Sequence, residues 1–214
     1  MNATMDPLQP AQGWAGAVAQ RLATPAPRQR SLALRCLSFM SSWMGRPQMP
    51  DLFPVLGIHR GLFFPWLRFA SRLMPFGALP STTREMLILR TGWNCRCRYE
   101  WGQHVDMALG CGLSDQDILR IADGPQAFSD PIHRTLMQAC DDLCARQVIS
   151  DAVWQSLRRH WDEPELIEIT MLVGHYQMLA GFINTAGLVL EPSTETKLQA
   201  FHQRAMPAAL PRAS

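Results

Sequence analysis

The sequence is short of the features that would direct it to a membrane, a nucleic acid or the secretory route. No uninterrupted apolar stretch reaches the roughly eighteen residues that a membrane-crossing helix needs. The longest run, around Leu179 to Leu190, is broken by Asn184 and Thr185, so no membrane partner is expected. The formal net charge is only +2, with acids and bases interspersed, which leaves no electrostatic footprint for nucleic acid. The N-terminus carries Asp6 and several prolines in place of a positive start and an apolar core, so it does not read as a secretory leader and a cytoplasmic location is expected. The six cysteines, at positions 36, 95, 97, 111, 140 and 144, are then expected to be reduced. Cys36, Cys140 and Cys144 fall in helical apolar patterns and read as core or packing thiols. Strand alternation and hairpin dipeptides are missing. So are the paired histidines of zinc peptidases and any close Cys/His set, and no metal is expected.

What is present is ample apolar material: 47% of 214 residues are hydrophobic, enough for the core of a single domain. Helical spacing and punctuation predict an all-α protein, a compact helical bundle over 31–205. A weakly ordered, Pro-rich N-terminal arm over 1–30, with room for a short helix near Trp14 to Leu22, precedes it, and a tail over 206–214 follows. Helices are expected over 31–44, 56–73, 84–90, 95–109, 114–122, 129–144, 151–160, 163–188 and 194–204. Their signals are caps at Ser114, Asp130 and Ser150, Pro131 and Pro164 in first turns, and stops at Gly110 and Gly112. Thr82 and Glu85 have the spacing of a capping box, and Asn94 is read as the cap of the helix that follows.

One segment differs from the rest. Cys97, Glu100 and His104 stand at i, i+3 and i+7, which places a thiol, a carboxylate and an imidazole on one helical face. Such a set supports nucleophilic or acid–base chemistry. With Asn94 as cap, Cys97 is the third helical residue, where the helix dipole favours a thiolate. Cys95 and Cys97, two apart on a helix, point away from each other and do not suit a disulfide. Trp93 and Trp101, at i−4 and i+4 from Cys97, wall an apolar pocket or belong to the core, and Tyr99 lies between them. His175 and Tyr176, with Asn184 nearby in the last long helix, form a second pocket wall or a satisfied buried pair. Glu85 either caps its helix through Thr82 or serves the site; one role excludes the other.

The order Arg84-Glu85, then Cys97-x-x-Glu100-x-x-x-His104 with Tyr99-Glu100-Trp101 inside it, and the lead-in Leu79-Pro80-x-x-x-Arg84-Glu85, resembles the carboxymuconolactone decarboxylase and alkylhydroperoxidase D superfamily over about residues 55 to 190. The resemblance implies an all-helical fold of the alkylhydroperoxidase D-like type that assembles into homo-oligomers. Setting His104 on the family histidine puts Glu85 on the upstream glutamate, Cys97 on the first cysteine of the peroxidase branch and Glu100 on its second. The missing sulfur turns the resemblance toward the decarboxylase branch. It implies cofactor-free acid–base chemistry (decarboxylation, isomerisation or dehydration) on a small organic acid, lactone or enone. His104, Glu100, Glu85 and Cys97 are then the catalytic candidates. Trp93, Tyr99, Trp101, His175, Tyr176 and Asn184 are the candidates for holding a small-molecule substrate. Two alternatives stay open: a thiol peroxidase working through Cys97, resolved by Cys95 or by a thiol of another subunit, and a non-catalytic bundle that binds a hydrophobic ligand or a partner.

Overall fold

A computed structural model of the chain describes residues 8–17, 19–32, 34–35 and 49–209, without the side chains of 206–209. Cys36 and most of the helix expected over 31–44 lie outside these residues. Within them the chain is helical, and no strand is present among the described residues. The helices are α1 (Leu52–Leu56), α2 (Arg60–Leu73), α3 (Ser81–Asn94), α4 (Arg98–Gly110), α5 (Asp115–Asp123), α6 (Pro131–Arg146), α7 (Asp151–Leu157), α8 (Glu163–Ala186) and α9 (Pro192–Ala209). The single helix expected over 56–73 is two, because Gly57 and Ile58 form a turn and His59 Nδ1 caps α2 by accepting the Leu62 N–H at 3.1 Å. Helix α9 continues to Ala209, into the stretch expected to be tail.

Helix α3 is the axis of the bundle, packed by α4, α5, α6 and α8. Every residue from Arg84 to Gly92 is buried, so its polar side chains need partners inside the protein. The Arg90 guanidinium pairs with both carboxylate oxygens of Asp141 on α6, at 2.6 and 2.8 Å, and donates to the carbonyls of Ile121 and Ala122 that end α5. Thr91 donates to Leu87 O at 2.7 Å and touches Cys140 Sγ at 3.2 Å. Helix α8 lies beside α3. By length and mean hydropathy, 1.4 over eighteen residues, it could cross a membrane; half of that window is buried inside the bundle, where it serves as a core helix.

Two expectations at the ends of α3 are overturned. The Thr82–Glu85 capping box does not form: Pro80 occupies the N-cap, with no side-chain cap. Glu168 of α8 holds the approach instead, accepting the N–H groups of Ala78 at 2.6 Å and Leu79 at 3.2 Å. That anchoring from a neighbouring helix releases Glu85 to face the interior. At the other end α3 runs through Thr91 and Gly92 to Asn94. Arg96, in the left-handed region at φ 52°, turns the chain, and Cys97 is the N-cap residue of α4. Cys97 is therefore not the third residue of its helix, and Asn94 does not cap it.

The N-terminal segment lies against the bundle, with Leu8 buried. Residues 14–17 form no helix, and their backbone donors are engaged elsewhere: Ala15 N–H bonds Arg96 O at 2.8 Å and Ala17 N–H bonds Asn184 O at 2.9 Å. Arg21 N–H bonds Ala186 O at 2.8 Å. Trp14 closes an aromatic cluster, edge-on to Trp93 with ring centres 5.4 Å apart and 6.1 Å from Trp101.

Candidate active site

The site is built where α3, α4 and α8 meet. Glu85 comes from the second turn of α3 and His104 from the second turn of α4. The Glu85 carboxylate oxygen lies 2.8 Å from His104 Nδ1, and both side chains are less than a tenth exposed. Hydrogen bonding of this length inside the protein fixes the imidazole's orientation and leaves its Nε2 as the atom offered to a ligand. Tyr176 of α8 stands edge-on to His104 at 5.1 Å, and its hydroxyl donates to Met74 Sδ at 3.5 Å. Burial pushes the Tyr176 phenol well above its ordinary range. The Glu85 and Glu100 carboxylates add to the rise and Arg84 opposes it, so Tyr176 stays a neutral hydroxyl.

Glu100 sits one turn before His104 on α4. Neither carboxylate oxygen has a hydrogen-bond partner among the described residues, and the residue is 4% exposed. Burial pushes its carboxyl well above the ordinary carboxylate range, which favours the protonated form. Gly92 allows the close approach behind it: a Cβ there would stand 3.4 Å from Glu100 Cβ and 3.5 Å from Trp101 N. Cys97 is fully buried. Burial raises its thiol well above the ordinary value, and Glu100 adds to this. The N–H groups of Glu100 and Tyr99 pull the other way without prevailing. The sulfur of Cys97 is thus a protonated thiol in the wall behind Glu100.

His175 extends the site along α8. Its ring stacks on Trp66 with centres 6.1 Å apart and planes 18° apart, meets Phe69 edge-on at 5.5 Å and lies 5.4 Å from Tyr176. Its Nδ1 has no partner among the described residues. Burial pulls its pKa down to about 4, leaving a neutral imidazole in an aromatic setting at neutral pH.

The structure thus brings Glu85, Glu100, His104, His175 and Tyr176 together, with Cys97 behind them. It takes the others elsewhere. Tyr99 turns toward Glu191, donating to its carboxylate at 2.7 Å and accepting the Leu52 N–H at 3.2 Å; Gln103 donates to the other oxygen of the same carboxylate. Asn184 donates to Cys95 O at 3.2 Å. Tyr99 and Asn184 meet at a separate pocket of about 170 Å³ under Trp14 and Ala17. Trp101 is fully buried and packs at 4.8 Å on Trp93, inside the aromatic cluster of the arm.

Four site neighbours escaped the sequence reading as such. Trp66, Phe69 and Met74 come from α2 and the loop after it. Arg84 is buried, donates to Leu79 O at 2.5 Å and has an unpartnered Nε. Arg84 had a signal in the Leu79-Pro80-x-x-x-Arg84-Glu85 lead-in. The α2 aromatics had none beyond an apolar stripe. Among the described residues no group of three or more His, Cys, Asp or Glu side chains is placed to hold a metal.

Comparison with known proteins gives three results. Residues 64–131 match the model of the carboxymuconolactone decarboxylase family. Among solved structures, the chain shares its fold with the alkylhydroperoxidase AhpD core of an uncharacterized peroxidase-related protein from Ralstonia eutropha JMP134, at a TM-score of 0.72 and 18% identity, covering 83% of this chain and 96% of that one. It also overlaps a protein of unknown function from Agrobacterium tumefaciens, described as a putative antioxidant defence protein AhpD, at a TM-score of 0.51 and 19% identity, over 56% of this chain and 84% of that one. No curated protein matches the chain by sequence.

Proposed function

We propose, from the match of residues 64–131 to the carboxymuconolactone decarboxylase family model and from the fold shared with an alkylhydroperoxidase AhpD core, that this protein is an enzyme of cofactor-free acid–base chemistry. Its substrate class is a small organic acid, lactone or enone, and its reaction a decarboxylation, isomerisation or dehydration. The observation that carries the reading is the 2.8 Å contact between Glu85 and His104 in the bundle interior, with the unpartnered Glu100 one helical turn away. Decarboxylation, isomerisation and dehydration all need a base that takes a proton from, and an acid that returns one to, neighbouring atoms of one substrate. His104 Nε2 is the base. Glu85 holds Nδ1–H and stabilises the imidazolium that forms. Glu100, protonated because it is buried, is the acid, and Tyr176 and His175 supply neutral hydrogen-bonding groups in an apolar wall.

Cys97 has a structural part in this reading, because a fully buried thiol beside a carboxyl is a poor nucleophile. We further propose a homo-oligomer. Ile167, Met171 and Met178 are exposed along α8, and Phe69 and Phe76 are exposed near Met74, an apolar surface of the kind that copies of a chain cover.

The test is turnover of a substrate found by metabolite screening. His104→Ala is expected to lose at least about a hundredfold in kcat, the ordinary worth of a general base, while Cys97→Ser keeps activity. Unchanged turnover in a folded His104→Ala protein overturns the assignment.

A further inference from the structure

A cavity of about 420 Å³ opens between the N-terminal segment and the turn that joins α1 to α2, and no residue of the acid–base site lines it. Its volume is that of a small-molecule site. Part of its wall is apolar. Leu34 is 3% exposed and seats so closely on Gly57 that a Cβ there would stand 2.4 Å from Leu34 Cδ1, and Pro54 and Ile58 continue this wall. The polar part of the wall carries Gln29, Arg30, Ser31 and Arg60. Local bonds take up acceptors of this set. Gln29 Oε1 accepts the Ala26 N–H at 3.0 Å, and Ser31 Oγ accepts the Leu34 N–H at 3.3 Å. Arg30 is held in place by its Nε, which donates to Pro25 O at 3.0 Å. The Gln29 amide N–H groups, the Ser31 hydroxyl hydrogen and the outer nitrogens of Arg30 remain as donors. So does the whole Arg60 guanidinium, which has no partner among the described residues. No carboxylate lines the cavity among the described residues. Asp51, an acid that the Arg30 charge reaches, accepts the Thr24 hydroxyl at 3.1 Å and stands outside the lining.

We propose that this cavity is a second binding site, for a phosphate monoester carried on a small apolar body. Two guanidinium groups, charged at every physiological pH, match the double charge of a phosphoryl group. Its three oxygens give acceptors to the Ser31 and Gln29 donors as well. A carboxylate brings one charge and two oxygens, and leaves part of this donor set unused. Leu34, Pro54 and Ile58 receive the apolar body. Arg60 is the first residue of the fourteen-residue helix α2, so the positive end of the helix dipole lies at the same wall and adds to the preference for an anion. A phosphoryl group held by Arg30 and Arg60 together ties the N-terminal segment to α2. The site is built from residues that the acid–base chemistry does not touch, and it stands whether or not that reading does.

The experiment is titration calorimetry of the full chain with phenyl phosphate, inorganic phosphate, benzoate and phenol. Phenyl phosphate is expected to bind once per chain, about tenfold more tightly than inorganic phosphate, which lacks the apolar body, or benzoate, which lacks the second charge. Phenol is expected not to bind. Arg30→Gln and Arg60→Gln should each weaken phenyl phosphate about tenfold, the ordinary worth of a charged hydrogen bond. Arg28→Gln, in the same segment but outside the lining, and His104→Ala should leave it unchanged. A second measurement needs no variant: phenyl phosphate should shield Arg30 and Arg60 from phenylglyoxal in the unaltered protein, read by peptide mapping, and leave the exposed Arg28 and Arg72 reactive. No binding of phenyl phosphate, benzoate binding as tightly, loss of binding in His104→Ala, or equal shielding of Arg28 and Arg72 overturns the proposal.

Discussion

Glu85 and His104 are nineteen residues apart in sequence and 2.8 Å apart in space, on two helices joined by a turn that only a left-handed residue, Arg96, completes. The pair is buried, so each side chain is the other's replacement for water. Removing one member leaves the other unsatisfied, at a cost of about 1–3 kcal/mol. Glu85→Ala is therefore expected to lower unfolding free energy by that amount in urea titration. Glu85→Gln, which keeps an acceptor oxygen, loses less stability but turns over substrate at a small fraction of the original kcat.

Glu100 makes a prediction about pH. Its folded carboxyl titrates above its unfolded value because it is buried, so between those two values the folded protein binds the proton that the unfolded chain has released. Stability from this group is complete below the unfolded value and is lost as pH rises toward the folded one, at up to about 1.4 kcal/mol per pH unit. Glu100→Gln removes that loss. Urea unfolding at pH 5, 6 and 7 is expected to show the variant gaining on the original protein as pH rises, with turnover impaired throughout.

His175 predicts the opposite slope. It is neutral in the fold down to about pH 4, whereas in the unfolded chain it takes up a proton near its ordinary value of about 6.5. Stability from keeping it neutral is therefore present above that value and lost as pH falls toward 4, again by up to about 1.4 kcal/mol per pH unit. His175→Phe keeps a ring against Trp66 and has nothing to titrate. It is expected to flatten the acid side of the stability profile between pH 6.5 and 4.5.

Gly187 tests the docking of the N-terminal segment. It ends α8 at φ 70°, and a Cβ there would stand 2.6 Å from Ala19 O. Gly187→Ala combines left-handed strain with a collision against backbone, and a loss of about 1–3 kcal/mol is expected. Limited trypsin digestion locates the effect: cleavage after Arg21 should accelerate, while sites within α3 and α6 stay protected.

Most of the architecture was legible because it rests on local signals. Ser114 with Asp117 and Asp130 with Pro131 form their caps as read, and Glu163-Pro164-Glu165 opens α8 with Asp162 as its N-cap. The errors lie where a distant residue decides. Glu85 has the spacing to cap Thr82, but Glu168, more than eighty residues away, takes over the start of α3 and sends Glu85 inward. Asn94 looked like a cap because its side chain suits one; Asp141 on α6 claims that side chain, and Asn94 is the last residue of α3. The helical spacing that put Cys97, Glu100 and His104 on one face holds for Glu100 and His104, while Cys97 sits at the cap, outside the regular helix. Tyr99 and Asn184 point to a different pocket because their partners, Glu191 and Cys95 O, were invisible to any reading of neighbours in sequence.

The bonds from Ala17 and Arg21 to Asn184 O and Ala186 O carry a further consequence, for the order of assembly. Those carbonyls belong to the last turn of α8, where a helix has no acceptors' partners of its own. The ribosome makes the donors first and the acceptors some 165 residues later. Until then Ala17 and Arg21 lack those acceptors, and making these bonds joins parts of the chain far apart in sequence, the kind of contact that forms slowly. Ala17 and Arg21 are thus expected to dock late, after Trp14 and Ala15 have met the α3–α4 turn.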